Sequence, residues 1–185
     1  MEKQPAQLRN SHMEYGSIYF WTATINSWQK LMMDDEYKTV ITNSLQHLSD
    51  IGKIDVFAFV IMPNHMHMIW RLNAANGKES PHASFLKHTA HEFKKKIISD
   101  KKSDLEKYKA VRTNKLYEFW QRDSLAVKIY DRDMALQKLN YIHHNPVAKH
   151  WALVDDFAEY EFSSAAFYEK NIQNFAFLKW LWDEI

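Results

Sequence analysis

Two short segments about seventy-five residues apart carry the side chains from which a reactive site can be built. The first is Met62-Pro63-Asn64-His65-Met66-His67-Met68-Ile69-Trp70. In a strand alternate side chains share a face, so His65 and His67 point one way while Met66, Met68 and Trp70 point the other. Two imidazoles on one face can converge on a metal ion, although histidines in strands are more often packed or hydrogen-bonded. The second segment is Asn140-Tyr141-Ile142-His143-His144-Asn145-Pro146. Tyr141 and Asn145 are four apart on an expected helix and stack on one face. That helix could offer a phenol and an amide oxygen to a metal held by the strand histidines. A mixed nitrogen and oxygen set suits Mg²⁺ or Mn²⁺, with water or phosphate in the open positions.

A phenol is a weak nucleophile at neutral pH, but an activated tyrosine forms covalent intermediates, and a metal that polarises a phosphodiester supplies Lewis-acid assistance. The product would be a tyrosine-phosphate link to DNA with a freed hydroxyl on the other side. Taken singly, Tyr141 reads as a core aromatic and Asn145 as a helix cap before Pro146. Only their conjunction with the histidines points to chemistry. His143 and His144 are alternative third ligands or phosphate contacts, but read first as exposed polar residues, as do His88 and His91.

The elements that must position these groups follow from pattern. Ile18 to Ile25 is dense in β-branched and aromatic residues and reads as a buried strand. Asp34 opens a helix with apolar positions at three- and four-residue spacing, stopped by Gly52. Ile54 to Met62 and His65 to Leu72 read as strands so closely spaced that an antiparallel hairpin is the natural geometry. Pro81 starts a helix running to about Lys102. A polar stretch, Asp100 to Asn114, precedes a strand from Tyr117 to Tyr130 with a bend near Arg122-Asp123. Asp133 to Asn145 is helical, closed by Pro146. The order β-α-β-β-α-β-α is a ferredoxin-like split βαβ with an added helix. The aromatic-rich residues from Val147 to Ile185 are expected to pack over that frame.

Composition sets the bounds. A chain of 185 residues with 46% hydrophobic and 15% aromatic side chains can bury one real core. Without cysteine it has no disulfide, thiolate metal site or cysteine nucleophile, which makes the cytoplasm the expected compartment. Neither a signal peptide nor a membrane-spanning run is read, so no membrane partner is expected. From His82 to Arg122, eleven Lys/Arg face five acids, a net +6 that leaves the remainder at −5 on a chain of +1. A basic middle is the electrostatic footprint of a polyanion binder, although the same charges can be an ordinary solvated helix face.

Together, Met62-Pro63-Asn64-His65-Met66-His67, Phe119-Trp120-Gln121-Arg122-Asp123, Tyr141-Ile142-His143-His144-Asn145-Pro146-Val147 and Phe162-Ser163-Ser164-Ala165 resemble the REP-associated tyrosine transposases, relatives of the single-tyrosine HUH transposases of insertion sequences. The segments fall in the family's order and span roughly Tyr15 to Tyr168. The resemblance implies an α+β fold, a ferredoxin-like antiparallel sheet of the HUH endonuclease kind with a tyrosine-bearing helix and a C-terminal helical tail. It implies one domain over 1–185, with a core of about 15–146 and an extension of about 147–185. It further implies cleavage of single-stranded DNA through a 5′-phosphotyrosine intermediate and a preference for hairpins of palindromic repeats. By position, His65, His67 and Asn145 would hold a divalent metal, Mg²⁺ or Mn²⁺, and Tyr141 would be the nucleophile. Asn145 stands where relatives from insertion sequences commonly carry Gln. Lys87, Lys94, Lys95 and Arg122 are the expected DNA contacts, and Phe119 and Trp120 are either base-stacking or core residues. The resemblance leaves open a monomer or a homodimer that exchanges the tyrosine helix. A nucleic-acid-binding regulator that keeps the fold without turnover, a phosphodiesterase that activates water, and a replication-initiator or relaxase are the competing classes.

Overall fold

The computed structural model describes residues 12–100, 103–110 and 116–185. Its frame is the expected βαββαβα series: β1 (Ile18–Thr24), α1 (Asp35–Asp50), β2 (Ile54–Ile61), β3 (His65–Leu72), α2 (Pro81–Ser99), β4 (Leu125–Lys128) and α3 (Arg132–His144), with a short α4 (Ala165–Lys170) in the tail. Among the described residues the strands form one antiparallel sheet in the order β2-β3-β1-β4. The fold is therefore α+β with a ferredoxin-like sheet.

Local chemistry explains several boundaries. Asp34 caps α1 by accepting the Glu36 N–H at 3.1 Å, and Gly52, at φ +68°, turns the chain out of the helix as a side chain with a Cβ would resist. Between β2 and β3 the turn closes with Met62 N–H donating to the His65 carbonyl at 2.8 Å. This turn brings His65 into the sheet as the first residue of β3.

Helices α1 and α2 pack against each other over one face of the sheet. There Trp21 stacks on Trp70 at 4.8 Å and meets Phe85 of α2 edge-on, while Tyr37 of α1 meets Phe93 of α2. The opposite face carries His65, His67, Thr22 and Thr24, because β1 pairs with β3 in the register Thr22↔His67 and Thr24↔His65. Helix α3 packs across β2 and β3.

Two expectations are corrected. The strand expected from Tyr117 to Tyr130 is only Leu125–Lys128. Its first half is irregular because Phe119 and Trp120 turn inward: Phe119 stacks on Tyr108, and Trp120 packs on Phe93 and donates its Nε1–H to Thr89 Oγ1 at 2.9 Å. Asp123, at φ +57°, makes the bend before β4. The expected helical tail is mostly extended and turn structure apart from α4 and single 3-10 turns. It serves instead to close the outer edge of β2: Ile61 N–H donates to Phe162 O, Ser164 N–H to Phe59 O and Lys179 N–H to Val56 O. Ser164 of the downstream motif also accepts the Phe59 N–H on its hydroxyl. Of the polar stretch after α2, residues 101, 102 and 111–115 lie outside the described residues, and with them Lys101, Lys102, Arg112 and Lys115.

Candidate active site

On the histidine face of the sheet lies a cleft of about 340 Å³ lined by Thr22, Thr24, Trp28, His65, His67, Tyr141, His144, Asn145, Ala148, His150 and Trp151. Strand β3 supplies the histidines, whose rings lie 4.7 Å apart. The last turn of α3 supplies Tyr141, whose ring is 5.0 Å from that of His67 of its own chain and is half exposed. The helix ends at His144, one residue short of expectation, and Asn145 opens a 3-10 turn with φ −58° and ψ −43°. Because that backbone is still helical, the four-residue relation of Tyr141 to Asn145 survives and both line the cleft.

The histidines are held in defined orientations. His65 Nδ1 lies 2.7 Å from Asn64 Oδ1, an atom that can only accept, so Nδ1 carries the proton and Nε2 keeps its lone pair. His67 Nδ1 lies 2.7 Å from Thr22 Oγ1. Its Nε2 is buried without a hydrogen-bond partner. A buried ring nitrogen left unpaired is costly unless something else fills its coordination. Burial, with His150 nearby, lowers the His65 pKa to about 4, and burial, with His65 and Lys138 nearby, lowers that of His67 to about 3. Both imidazoles are therefore neutral at physiological pH, the form in which histidine binds a metal.

The donor set fits a divalent cation only as an open site. Among the described residues no three His, Cys, Asp or Glu side chains converge. The protein atoms available are the two imidazoles and, from the same cleft, the amide of Asn145, which leaves positions for water or substrate oxygens. A hydrogen-bond partner on each Nδ1 fixes the orientation of its ring, as such partners do in histidines that bind metals.

The neighbouring histidines separate. His144 lines the cleft, with Nδ1 2.9 Å from the Asn140 carbonyl and its ring against Phe157. His143, expected to be exposed, is 2% exposed, and its Nε2 hydrogen-bonds Ser164 Oγ at 2.9 Å. Adjacent residues on a helix point about 100° apart, so one faces the cleft and the other the core. His88 and His91 are exposed on α2 as expected.

The expected DNA contacts lie elsewhere. A groove of about 1050 Å³ between α2 and residues 116–124 is lined by Lys87, Lys94 and Arg122 among others. Lys87 pairs with Glu79, Lys95 with Glu92 and Arg122 with Glu118, while Lys94 sits over the Tyr117 ring. Lys96, Lys107 and Lys109 are also paired, with Glu36, Asp104 and Glu106. Much of the basic middle is thus locally offset by acids. Phe119 and Trp120, 3% and 6% exposed, are core residues and not base platforms.

Sequence reasoning missed Thr22, Trp28, His150 and Trp151 as parts of the cleft. Asn64 also belongs to the site through its bond to His65, and its place next to that histidine is the signal for it in the sequence.

No protein-family model matches the chain, and no curated protein matches it. Among solved structures it is similar to a REP-associated tyrosine transposase bound to a REP hairpin, with 16% identity, coverage of 88% of this chain and 82% of that one, and a TM-score of 0.57. A candidate transposase from Deinococcus radiodurans is 13% identical over 77% of this chain and 95% of the other, with a TM-score of 0.38. The first likeness is one of fold: the chain has the architecture of that transposase. Among the described residues, no helix is long and apolar enough to cross a membrane.

Proposed function

We propose that the chain is a transposase-like HUH endonuclease that cuts single-stranded DNA, with hairpins as its substrates, through Tyr141 and a 5′-phosphotyrosine intermediate. The observation that carries this reading is the cleft itself, in which one strand brings His65 and His67 and one helix end brings Tyr141 and Asn145. The fold shared with a transposase bound to a REP hairpin supports it.

In this reading His65, His67 and Asn145 would hold Mg²⁺ or Mn²⁺. When bound, such an ion offsets charge on the non-bridging phosphate oxygens. Tyr141 attacks phosphorus with its phenolic oxygen; the new O–P bond replaces the bond to the 3′ oxygen, which leaves as a hydroxyl after taking a proton. The phenol proton passes to solvent, to which the half-exposed Tyr141 has access. One phosphodiester is exchanged for another, so the link retains what is needed to rejoin the strand. Thr22 and Asn64 keep the two imidazoles oriented, and Phe20, 6.0 Å from the Tyr141 ring and stacked on His67, holds the phenol beside them. Lys87, Lys94 and Arg122 contact the DNA backbone from the groove beside α2, with Lys95 adjoining on the same helix.

The test is incubation with Mn²⁺ or Mg²⁺ and labelled single-stranded hairpins, followed by a denaturing gel. Wild type is expected to form a covalent adduct, and Tyr141→Phe to bind hairpins without adduct or cleavage. Cleavage that survives in Tyr141→Phe would make water the nucleophile. A folded wild type that binds hairpins but never cuts them would be a binding regulator.

A further inference from the structure

Trp28 stands where packing alone would not put it. It is 61% exposed, in a chain that buries Trp21 and Trp70 completely. Ser27 and Trp28 both have left-handed backbones, at φ +54° and +55°, a conformation that side chains with a Cβ rarely adopt and that is rarer still in succession. Strain of this kind persists only where surrounding contacts impose it, and it gathers at sites of function. Here the contacts are visible. Trp28 N–H donates to the Ile25 carbonyl at 3.0 Å, and the Trp28 carbonyl accepts from Asn64 Nδ2 at 3.4 Å. The oxygen of that same Asn64 amide holds His65 Nδ1. A single side chain therefore ties the strained turn to the histidine pair.

The turn places the indole on the wall of the cleft that contains His65, His67 and Tyr141. Trp151 lines the same cleft, with its ring 5.9 Å from that of His65 and Lys30 Nζ 5.6 Å above it. An exposed aromatic face, a second indole and a cation beside the reacting groups match an unpaired nucleobase and its phosphate: every base offers a π-face, whereas a double helix hides it. We propose that Trp28 is a stacking platform for the unpaired base next to the phosphodiester presented to Tyr141, making it a positioning residue for the substrate. The proposal rests on the reading that this cleft receives single-stranded DNA.

The test separates the two ideas. Binding of wild type, Trp28→Ala and Trp28→Phe would be measured in Mn²⁺ with an oligothymidylate and with the same backbone carrying abasic sites throughout. Stacking predicts that Trp28→Ala weakens oligothymidylate binding by about tenfold, that Trp28→Phe retains most of it, and that wild type and Trp28→Ala bind the abasic strand alike. Equal weakening on both strands, or on neither, overturns the platform. Adduct formation with hairpins, scored in parallel for wild type and Tyr141→Phe, reports on the nuclease reading. If the adduct forms but Trp28→Ala loses nothing, only the platform fails. If wild type forms no adduct and binds neither strand, the cleft reading fails and takes the platform with it.

Discussion

Thr22 lies beside His67 because of strand register, and its hydroxyl is the hydrogen-bond partner of Nδ1. Thr22→Val keeps the shape and removes that partner. On the proposal that His67 holds a divalent metal, partners of this type typically contribute about ten- to a hundredfold to metal affinity, so calorimetric titration with Mn²⁺ is expected to show a loss of that order with no change in fold. Unchanged Mn²⁺ affinity would show that Thr22 does not orient His67. The same residue marks what was legible in the sequence. That His65 and His67 share a face follows from the period of a strand, and that Tyr141 and Asn145 share one follows from the period of a helix; both are local rules. Thr22 and Trp28 depend on which strands pair and in what register, and on the path of a strained turn, neither of which a local pattern encodes. Phe119 and Trp120 could be read either way, and burial against Phe93 and Tyr108 decided for the core.

Among the elements, α3 has the most direct bearing on the site because it ends at the candidate nucleophile. Its start is set by Asp131, whose carboxylate accepts the Met134 N–H at 2.8 Å. Asp131→Ala removes the cap at a cost of about 1 kcal/mol, which for a domain of this size lowers the thermal midpoint by about 2–4 °C. Because the cap lies at the far end from Tyr141, Mn²⁺ affinity should hold below the transition. An unchanged midpoint would mean that packing of Ala135, Leu139 and Ile142 alone fixes the helix start. Elements with strong periodicity were placed from sequence within a few residues: β1, α1, the β2–β3 pair, α2 and α3. The segment before β4 was not, since aromatic and β-branched residues look strand-like whether they lie in a sheet or plug a helix cluster. The tail failed for a related reason: its aromatics suit packing on an edge as well as a helix face, and its bonds to β2 span about a hundred residues.

At the scale of the whole molecule, a charge cluster around the buried Asp55 adds to the backbone bonds that join tail to sheet. Asp55 of β2 is 4% exposed and accepts from Arg71 Nε at 3.0 Å and Nη2 at 2.6 Å across the β2–β3 pair, and from Lys179 Nζ of the tail at 2.5 Å. Arg71 reaches on to Glu184 near the C-terminus. Burial by itself would raise the Asp55 pKa, but hydrogen bonds from Lys179, Arg71 and Asn73 outweigh it and hold the carboxyl below its ordinary value. A carboxylate depressed in the folded state adds stability above its unfolded pKa and loses it as pH falls through the folded one. Asp55→Asn leaves Arg71 and Lys179 short of an anion, a loss of about 2–3 kcal/mol, below the about 3–5 kcal/mol of a fully buried pair because Lys179 is half exposed. Urea unfolding at neutral pH should show that deficit, and the gap between wild type and Asp55→Asn should narrow as pH falls below about 4. A gap that stayed constant into strong acid would mean that Asp55 does not titrate with unfolding and that the cluster acts through shape alone. A gap that closes identifies Asp55 as a carboxylate whose protonation removes the cluster's contribution to stability, on the strand whose neighbour β3 carries His65 and His67.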